Sequence, residues 1–218
     1  MVNMLPLEIT QRLGLGLQEV SPALSFGFGC DEAGEVRNLT IQRTWVKVQR
    51  LSYEAAEDRL ETFPFAAMVS LVERFRNRRQ SNDAAGIELP EVNVRVCDGE
   101  VVIRPLPRLR SRALVMDAML MAGEAVAAFC RDLGIPIPYV SQPAPDKVEQ
   151  PLDLAGMYAY RRRFKPSRLV DEPAPHFGLG LPLYTRATSP LRRYSDLLVH
   201  QQLRAWLRGE SLIEAHAV

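Results

Sequence analysis

The segment 112–133 constrains the fold most, because its residue pattern predicts one long helix. Its polar residues Asp117, Glu124 and Arg131 recur every seven positions, so they lie on a single stripe of that helix and leave the other faces apolar. A helix with so little polar surface is normally buried inside a domain. Gly134 follows the segment and suits the left-handed residue that ends many helices. The chain is therefore expected to fold around a central apolar helix.

Strand patterns occupy two regions before this helix. In the first fifty residues, an apolar run at 23–28 and an alternating stretch at 36–50 flank the turn-like sequence CDEAG, which indicates a hairpin. The second region is clearer: VNVRVC (92–97) and EVVIRP (100–105) alternate on either side of the Asp-Gly pair at 98–99, which is favoured in type I′ turns. Interleaved hairpins and helices predict a mixed α/β (α+β) fold, with β-hairpins and sheet packed against long helices in one domain.

Three further segments have helical patterns. Ser52 is a cap-like residue at the start of SYEAAEDRLE, and a second helix is predicted from 63 to 79. The polar run RNRRQSND at 76–83 closes that helix and is expected to form a solvated loop. The last helix is predicted to span 190–208 and to end at Gly209.

Composition is that of a globular protein rather than a disordered or generally cationic one. The 218 residues suit one large domain, with 47% hydrophobic and 24% charged residues. The chain has 27 Lys and Arg against 26 Asp and Glu, a net charge of +1, but only 3 of the basic residues are Lys. The planar fork of arginine suits phosphate and carboxylate, so this bias fits anion recognition. Codon bias in a GC-rich genome is the other explanation.

The cysteines indicate a reducing compartment. Cys30, Cys97 and Cys130 are odd in number and form no CxxC, so they predict neither a disulfide framework nor a zinc site. The start, MVNMLPLEIT, lacks the basic and apolar regions of a secretory signal. The longest apolar stretch, 113–129, is interrupted by two acidic residues and is expected to be too short and too charged to span a bilayer. We expect a cytoplasmic protein.

The most informative segment is YTRATSPLRRYSDLLVH (184–200). Ser189 and Pro190 predict a helix start, with serine as N-cap and proline at the first helical position. Arg192 and Arg193 then fall in the first turn, where the helix dipole disfavours cations. Two arginines beside free backbone N–H groups therefore point to an anion site, with phosphate the best fit. The alternative is that both arginines pair with acids, Arg192 with Asp196 four positions on.

The region 161–208 is strongly basic. It holds ten Lys and Arg residues against three acids, which is the charge pattern of a nucleic-acid-binding surface. Aromatic rings interleave with the charges and suit stacking on single-stranded bases, although core packing is the alternative for each of them. These rings are Tyr158, Tyr160, Phe164, Phe177, Tyr184 and Tyr194. His176 and His200 fit hydrogen-bonded structural residues as well as catalysts.

TSPLRRYSDLLVH resembles the signature near the C-terminal end of the catalytic (RNB) domain of the ribonuclease II / ribonuclease R family. Other stretches resemble the family in the same order: MLPLEIT, LGLGLQEVSPALSF, LSYEAAED, GIELPEVNV, ALVMDAMLMAGEAVAAFC and PHFGLGLPLYTRATSP. The resemblance covers nearly the whole chain and implies a single partial RNB-type domain over 1–218. It also implies a processive, Mg²⁺-dependent exoribonuclease that degrades single-stranded RNA 3′→5′ and releases nucleoside 5′-monophosphates.

The resemblance assigns roles to individual residues. Arg192 matches the arginine that holds a substrate phosphate near the scissile bond, and Arg193 occupies the neighbouring basic position. Tyr53 matches a tyrosine that contacts ribose near the RNA 3′ end, but its glutamate partner falls at Met116, with Asp117 next to it. The stretch GIEL has no ring where the family carries a base-clamping aromatic. The predicted site is catalytic Arg192 with substrate-binding Arg193, Tyr53, Tyr184, Ser189 and Asp117.

The aspartate cluster that binds Mg²⁺ in this family, a DxDDA-like motif upstream of the MLP segment, has no counterpart here. Two-metal chemistry needs several converging carboxylates, and the two nearest Asp in the sequence are Asp146 and Asp153. No metal ligand is therefore predicted, and the family's cold-shock and S1 domains are also missing. We expect a truncated or split chain, completed by a separate polypeptide that carries the aspartates. The alternatives are a non-catalytic RNA-binding module and a gene remnant.

Overall fold

The computed structural model describes residues 3–87, 89–149, 151 and 153–215. In chain order its elements are α1 (Leu7–Leu13), β1 (Ser21–Cys30), β2 (Val36–Val46), α2 (Tyr53–Glu57), α3 (Phe65–Ser81), β3 (Val92–Cys97), β4 (Glu100–Pro105), α4 (Arg110–Asp132), β5 (Tyr139–Ser141), α5 (Leu154–Arg161), β6 (Arg168–Val170), a 3₁₀ turn (Phe177–Leu179) and α6 (Tyr194–Arg208). Helices alternate with short antiparallel strands, which confirms the predicted mixed α/β (α+β) class.

The two predicted hairpins are confirmed. β1 pairs antiparallel with β2 through a turn in which the Asp31 carboxylate accepts the N–H of Glu35 at 2.8 Å. β3 pairs antiparallel with β4, and both turn residues have positive φ, 52° at Asp98 and 83° at Gly99. That is the type I′ geometry which the Asp-Gly pair favours. A third antiparallel pair joins β5 to β6, so the strands of the described residues form three separate two-stranded sheets.

Helix α4 is the central element, as its apolar pattern predicts. Val126, Ala127 and Cys130 are fully buried, and burial raises the pKa of the Cys130 thiol to about 12. One apolar cluster surrounds the C-terminal half of α4 and packs it against β2, the segment 135–139 and α6. A second cluster packs its N-terminal half against α3. Each large apolar side chain fully buried in these clusters contributes about 1.5–3 kcal/mol, and α4 supplies residues to both clusters.

Helix α4 is longer than the apolar stretch 113–129, which was expected to be too short and too charged to span a bilayer. The helix has 23 residues, and by length and composition alone it is long and apolar enough to cross a membrane. It shares that composition with core helices of globular proteins. Here its acidic residues Asp117 and Glu124 are buried against arginines of α3, so the two charges that interrupt the apolar stretch are neutralised inside the protein.

The solvated loop predicted at 76–83 is wrong, because α3 continues to Ser81 and its arginines face α4. Both oxygens of Asp117 are engaged: Arg76 Nη2 lies 2.6 Å from Oδ2, and Arg79 Nη1 lies 2.9 Å from Oδ1. Arg78 pairs with Glu124 and also with Glu35 of the first hairpin. The basic run resembled a loop because its partners are about forty residues away in the sequence, on the polar stripe of α4.

Helix ends follow the sequence signals in three of the four predicted places. The Ser52 hydroxyl accepts the N–H of Ala55 at 3.1 Å and so caps α2. Gly134 (φ +63°) and Gly209 (φ +65°) adopt the left-handed conformation just after α4 and α6. The exception is the start of α6, which begins four residues later than predicted.

Candidate nucleic-acid interface

The segment before α6 is organised by a buried carboxylate rather than by a serine cap. Asp196 is fully buried, accepts the N–H of Ser189 at 2.8 Å and pairs with Arg193 Nη2 at 2.8 Å. Residues 190–192 form a turn instead of the first helical residues, with the N–H groups of Arg192 and Arg193 on the Ser189 carbonyl at 3.2 and 3.1 Å. The prediction that Ser189 and Pro190 begin the helix is therefore wrong.

This geometry also changes the argument from the helix dipole. Arg193 is the N-cap residue, Arg192 precedes the helix, and the acidic residue in the first turn is Asp196. An acid at that place is what the dipole favours. The prediction that both arginines lie in the first turn of the helix is therefore wrong. Any anion site here depends on the arginine side chains alone.

The two arginines have different surroundings. Arg193 is half-buried and its guanidinium pairs with Asp196, three positions on, so for this residue the alternative of an acid partner holds. Arg192 is exposed and donates one hydrogen bond to Ser189 Oγ at 3.1 Å. Within the described residues, no carboxylate lies within ion-pair distance of Arg192. Arg192 is consequently open to an anion from solution.

Much of the predicted basic surface keeps its charge. Of the ten basic residues in 161–208, four pair with acids: Arg163 with Glu149, Lys165 with Asp146, Arg193 with Asp196 and Arg208 with Glu210. In the part of the chain that the structure describes, the other six have no ion pair: Arg161, Arg162, Arg168, Arg186, Arg192 and Arg204. All of these except the half-buried Arg186 are exposed.

The aromatic residues of this region divide between core and surface. Tyr160 is buried and its ring packs edge-on against Phe164, which in turn contacts Phe177. Tyr158 and Tyr194 are exposed, with 57% and 67% of their surface accessible. Tyr194 directly follows the two arginines in the sequence, and its exposed ring is accessible for stacking on a base. Tyr194 was predicted as a ring that suits stacking, but it was not among the predicted site residues.

Tyr184 lies mainly inside the protein. Its ring packs on α4 at Gly123, where a side chain would collide with the Tyr184 ring, and its edge faces His176 at 6.2 Å between ring centroids. Burial raises the pKa of the Tyr184 hydroxyl, with the charges of Arg193 and Arg186 acting in the opposite direction. Tyr184 therefore connects the central helix to the arginine segment.

His176 and His200 have pKa values below that of a free imidazole, which favours the neutral ring. Burial, and to a smaller degree the charges of Arg186 and Arg79, lower the pKa of His176 to about 4. Burial also lowers the pKa of His200, whose Nε2 lies 2.7 Å from the carbonyl of Ala187. His200 is a hydrogen-bonded structural residue.

Tyr53 and Asp117, the remaining predicted site residues, make their contacts with α3 and α4. Tyr53 is the first residue of α2, and the Arg112 guanidinium stacks on its partly exposed ring at 4.3 Å from the centroid. Met116, one turn after Arg112, is exposed. Asp117 is fully buried between Arg76 and Arg79. The structure thus brings Arg192, Arg193 and Ser189 together in one turn. Tyr184 is near enough for the charge of Arg193 to act on its hydroxyl.

The described residues do not fit a magnesium site. Among them, no group of three or more His, Cys, Asp or Glu side chains is close enough to hold a metal ion. The buried carboxylates Asp117, Glu124 and Asp196 are each neutralised by arginine instead.

Comparison with known proteins gives the context of this site. The chain is 38% identical over 226 residues to an uncharacterized ribonuclease of Synechocystis, an alignment that covers 97% of this chain and 34% of that protein. It is 26% identical to ribonuclease R of Aquifex aeolicus, over 97% of this chain and 37% of the relative. The chain therefore spans only about a third of the length of these relatives.

Solved structures share the fold. The Mycoplasma genitalium RNase R in complex with ribose-methylated single-stranded RNA superposes with a TM-score of 0.77 and 19% identity, over 94% of this chain and 40% of that one. Yeast Ssd1, a pseudonuclease, superposes with a TM-score of 0.72 and 18% identity, over 99% of this chain and 33% of that one. Residues 1–209 match the RNB domain family. The chain belongs to the RNB family, as the sequence resemblance predicted.

Proposed function

We propose that this chain binds single-stranded RNA and takes part in its 3′→5′ hydrolytic degradation to nucleoside 5′-monophosphates. The observation that carries the proposal is the exposed Arg192, which has a hydrogen bond to Ser189 but no carboxylate partner in the described residues. An arginine without an acid partner on a protein surface is available for bidentate binding of a phosphate.

The neighbouring residues support this role by fixing the turn. Asp196 holds the Ser189 N–H and the Arg193 guanidinium, so the backbone that carries Arg192 is tied to the first turn of α6. Ser189 Oγ orients the Arg192 guanidinium at 3.1 Å. Donors held in place before the substrate arrives stabilise developing negative charge on a phosphate at little reorganisation cost. We propose Arg192 as the residue that contacts the phosphate and Arg193 as the residue that positions it.

Hydrolysis in this proposal depends on carboxylates that the described residues do not provide. The family's chemistry requires Mg²⁺, which activates water and neutralises phosphate charge, and the described residues provide no such site. A separate polypeptide that carries acidic residues would supply it. We place the activity in the cytoplasm, a location supported by the free thiols of Cys30, Cys97 and Cys130.

The proposal is tested by the salt dependence of RNA binding. Fluorescence anisotropy with a labelled single-stranded RNA, repeated across a salt series, compares the wild-type chain with Arg192→Ala. We expect weaker binding and a salt slope smaller by about 0.7, the value for one lost single-strand phosphate contact. Arg208→Ala is the matched control, because Arg208 pairs with Glu210 at the far end of α6, roughly 20 Å away. Equal slopes for wild type and Arg192→Ala would remove the phosphate assignment.

A second candidate function is a binding module without chemistry. It is favoured by the lack of a carboxylate cluster among the described residues and by the shared fold of yeast Ssd1, a pseudonuclease. Incubation of the purified chain with RNA and Mg²⁺ separates the two. Shortening that Arg192→Ala abolishes supports an enzyme, whereas salt-sensitive binding without shortening supports the module. A chain without a cooperative melting transition would be a gene remnant.

A further inference from the structure

The two-stranded ribbon formed by β3 and β4 exposes its apolar side chains to solvent, where a surface hairpin normally has polar ones. Val94 lies opposite Ile103, and Val96 lies opposite Val101, so these four residues share one face of the ribbon. All four are strongly exposed, between 57% and 71%. Asn93 and Val102, which alternate with them, are half-buried. A hairpin that covers a core turns its apolar face inward, so the apolar face of this ribbon does not pack on the core of the described residues.

Among the described residues, no further strand pairs with the outer edges of the ribbon. Within that part of the chain the sheet has two strands, and the main contacts of β3 and β4 are with each other. A two-stranded ribbon is marginal by itself, and an open strand edge pairs readily with a strand of another chain.

We propose that the β4 edge pairs antiparallel with β4 of a second copy of this chain, centred on Val102, to form a four-stranded sheet. The hydrogen-bond pattern of the hairpin permits this register. Cys97 and Glu100 close the two-residue turn and exchange hydrogen bonds, so by alternation Glu100, Val102 and Arg104 direct their backbone groups toward β3. Val101 and Ile103 direct theirs outward, where Val101 meets Ile103 of the second copy.

The charged residues of β4 favour this register and this edge. With Val102 on the two-fold axis, Glu100 lies directly opposite Arg104 of the second copy, and the symmetry repeats the pair. Within the ribbon, Glu100 faces Cys97 and Arg104 faces Asn93, so neither charge has an opposite partner there. A shift by two residues places a valine opposite one of the two charges.

The other edge lacks this complementarity. Pairing of β3 with itself around Val94 places Arg95 opposite Asn93 of the second copy, a pair without opposite charges. The β4 edge is therefore the self-complementary one. The proposed association is independent of the proposed RNA activity.

The experiment is a charge reversal followed by sedimentation equilibrium over a concentration series in reducing buffer, which excludes a disulfide through the exposed Cys97. The wild-type chain is expected to pass from its monomer mass of 24.5 kDa toward twice that mass. Arg104→Glu is expected to weaken the dimer at least about tenfold, because both symmetric pairs become repulsive. The double variant Glu100→Arg/Arg104→Glu restores opposite charges and is expected to restore the dimer.

Two further variants keep the result interpretable. Arg95→Glu has the same change of net charge on β3, which does not face the second copy, and is expected to leave the dimer intact. Ile103→Pro removes an outward N–H without touching the β3–β4 hydrogen bonds, and is expected to keep the melting transition but lose the dimer. A wild-type chain that stays monomeric at every soluble concentration overturns the proposal. So does a dimer that Arg104→Glu and Ile103→Pro leave unchanged.

Discussion

Two arginine-rich segments of this protein have opposite surroundings. In α3, the run 76–79 faces the acidic stripe of α4, and Asp117 and Glu124 take up its charges in buried ion pairs. The second segment, 186–193, contains three arginines. Among the described residues, Asp196 is the one acid that forms an ion pair with any of them, and its partner is Arg193. Arg186 and Arg192 have no ion pair there.

The difference shows what an arginine run means physically. A guanidinium that meets a buried carboxylate joins two helices, whereas one without an acid nearby is available to a phosphate. Arginine density in the sequence does not distinguish the two cases, because the deciding acids are distant in the chain. The position of the acids in the fold therefore identifies the candidate RNA-binding segment.

The largest expected effect is on the buried pairs. Asp117→Ala leaves Arg76 and Arg79 without their carboxylate inside the protein, so we expect a loss of about 3–5 kcal/mol in the free energy of unfolding. Urea denaturation followed by circular dichroism measures this loss. Asp146→Ala removes an exposed carboxylate that also pairs with a basic residue, Lys165, and is expected to leave stability unchanged within error. Equal effects of the two substitutions would contradict the comparison.

The next largest effect on stability is expected at His176, which is influenced by an arginine of each region. Its folded-state pKa of about 4 is below the unfolded value of about 6.5, because burial disfavours the charged ring and Arg186 and Arg79 add to this. The unfolded state therefore takes up the proton first. Stability is fully present above pH 6.5 and is lost as the pH falls toward 4, by less than about 3 kcal/mol because solvent screens the partly exposed ring.

His176→Gln removes this titration. We expect a flatter dependence of stability on pH between 6.5 and 4 than in the wild type, measured as urea midpoints across that range. His200→Gln provides the comparison, since burial lowers the pKa of His200 as well. If His176→Gln loses as much stability on acidification as the wild type does, the prediction that His176 is neutral in the folded protein is wrong.

Local sequence chemistry predicted the elements that depend on neighbouring residues. A few adjacent residues were enough to predict the Asp-Gly turn between β3 and β4, and the same is true of the serine cap of α2. The apolar pattern of α4 predicted its burial. The loop at 76–83 was mispredicted because the partners of its arginines lie some forty positions away, on α4.

The start of α6 was mispredicted for a related reason. Ser189 followed by Pro190 is a strong local signal for a helix start, but Asp196 accepts the Ser189 N–H and holds Arg193, which turns the chain before the helix. The assignment of the phosphate contact to Arg192 depends on the resemblance and on the side-chain surroundings. The helix dipole does not contribute to it, because Arg192 precedes α6.

The smallest effect separates the two adjacent arginines. Arg193→Ala leaves the buried Asp196 carboxylate with backbone and serine donors only, so we expect a loss of about 1–3 kcal/mol in unfolding free energy. Arg192→Ala removes an exposed side chain without an acid partner, and the expected change is within about 0.5 kcal/mol. Urea midpoints of the two variants measure the difference. If Arg192→Ala destabilises as much as Arg193→Ala, Arg192 belongs to the structural network and is not free for phosphate. If neither substitution changes stability, the Asp196 pair does not hold the turn, and the two arginines are equivalent candidates for the RNA contact.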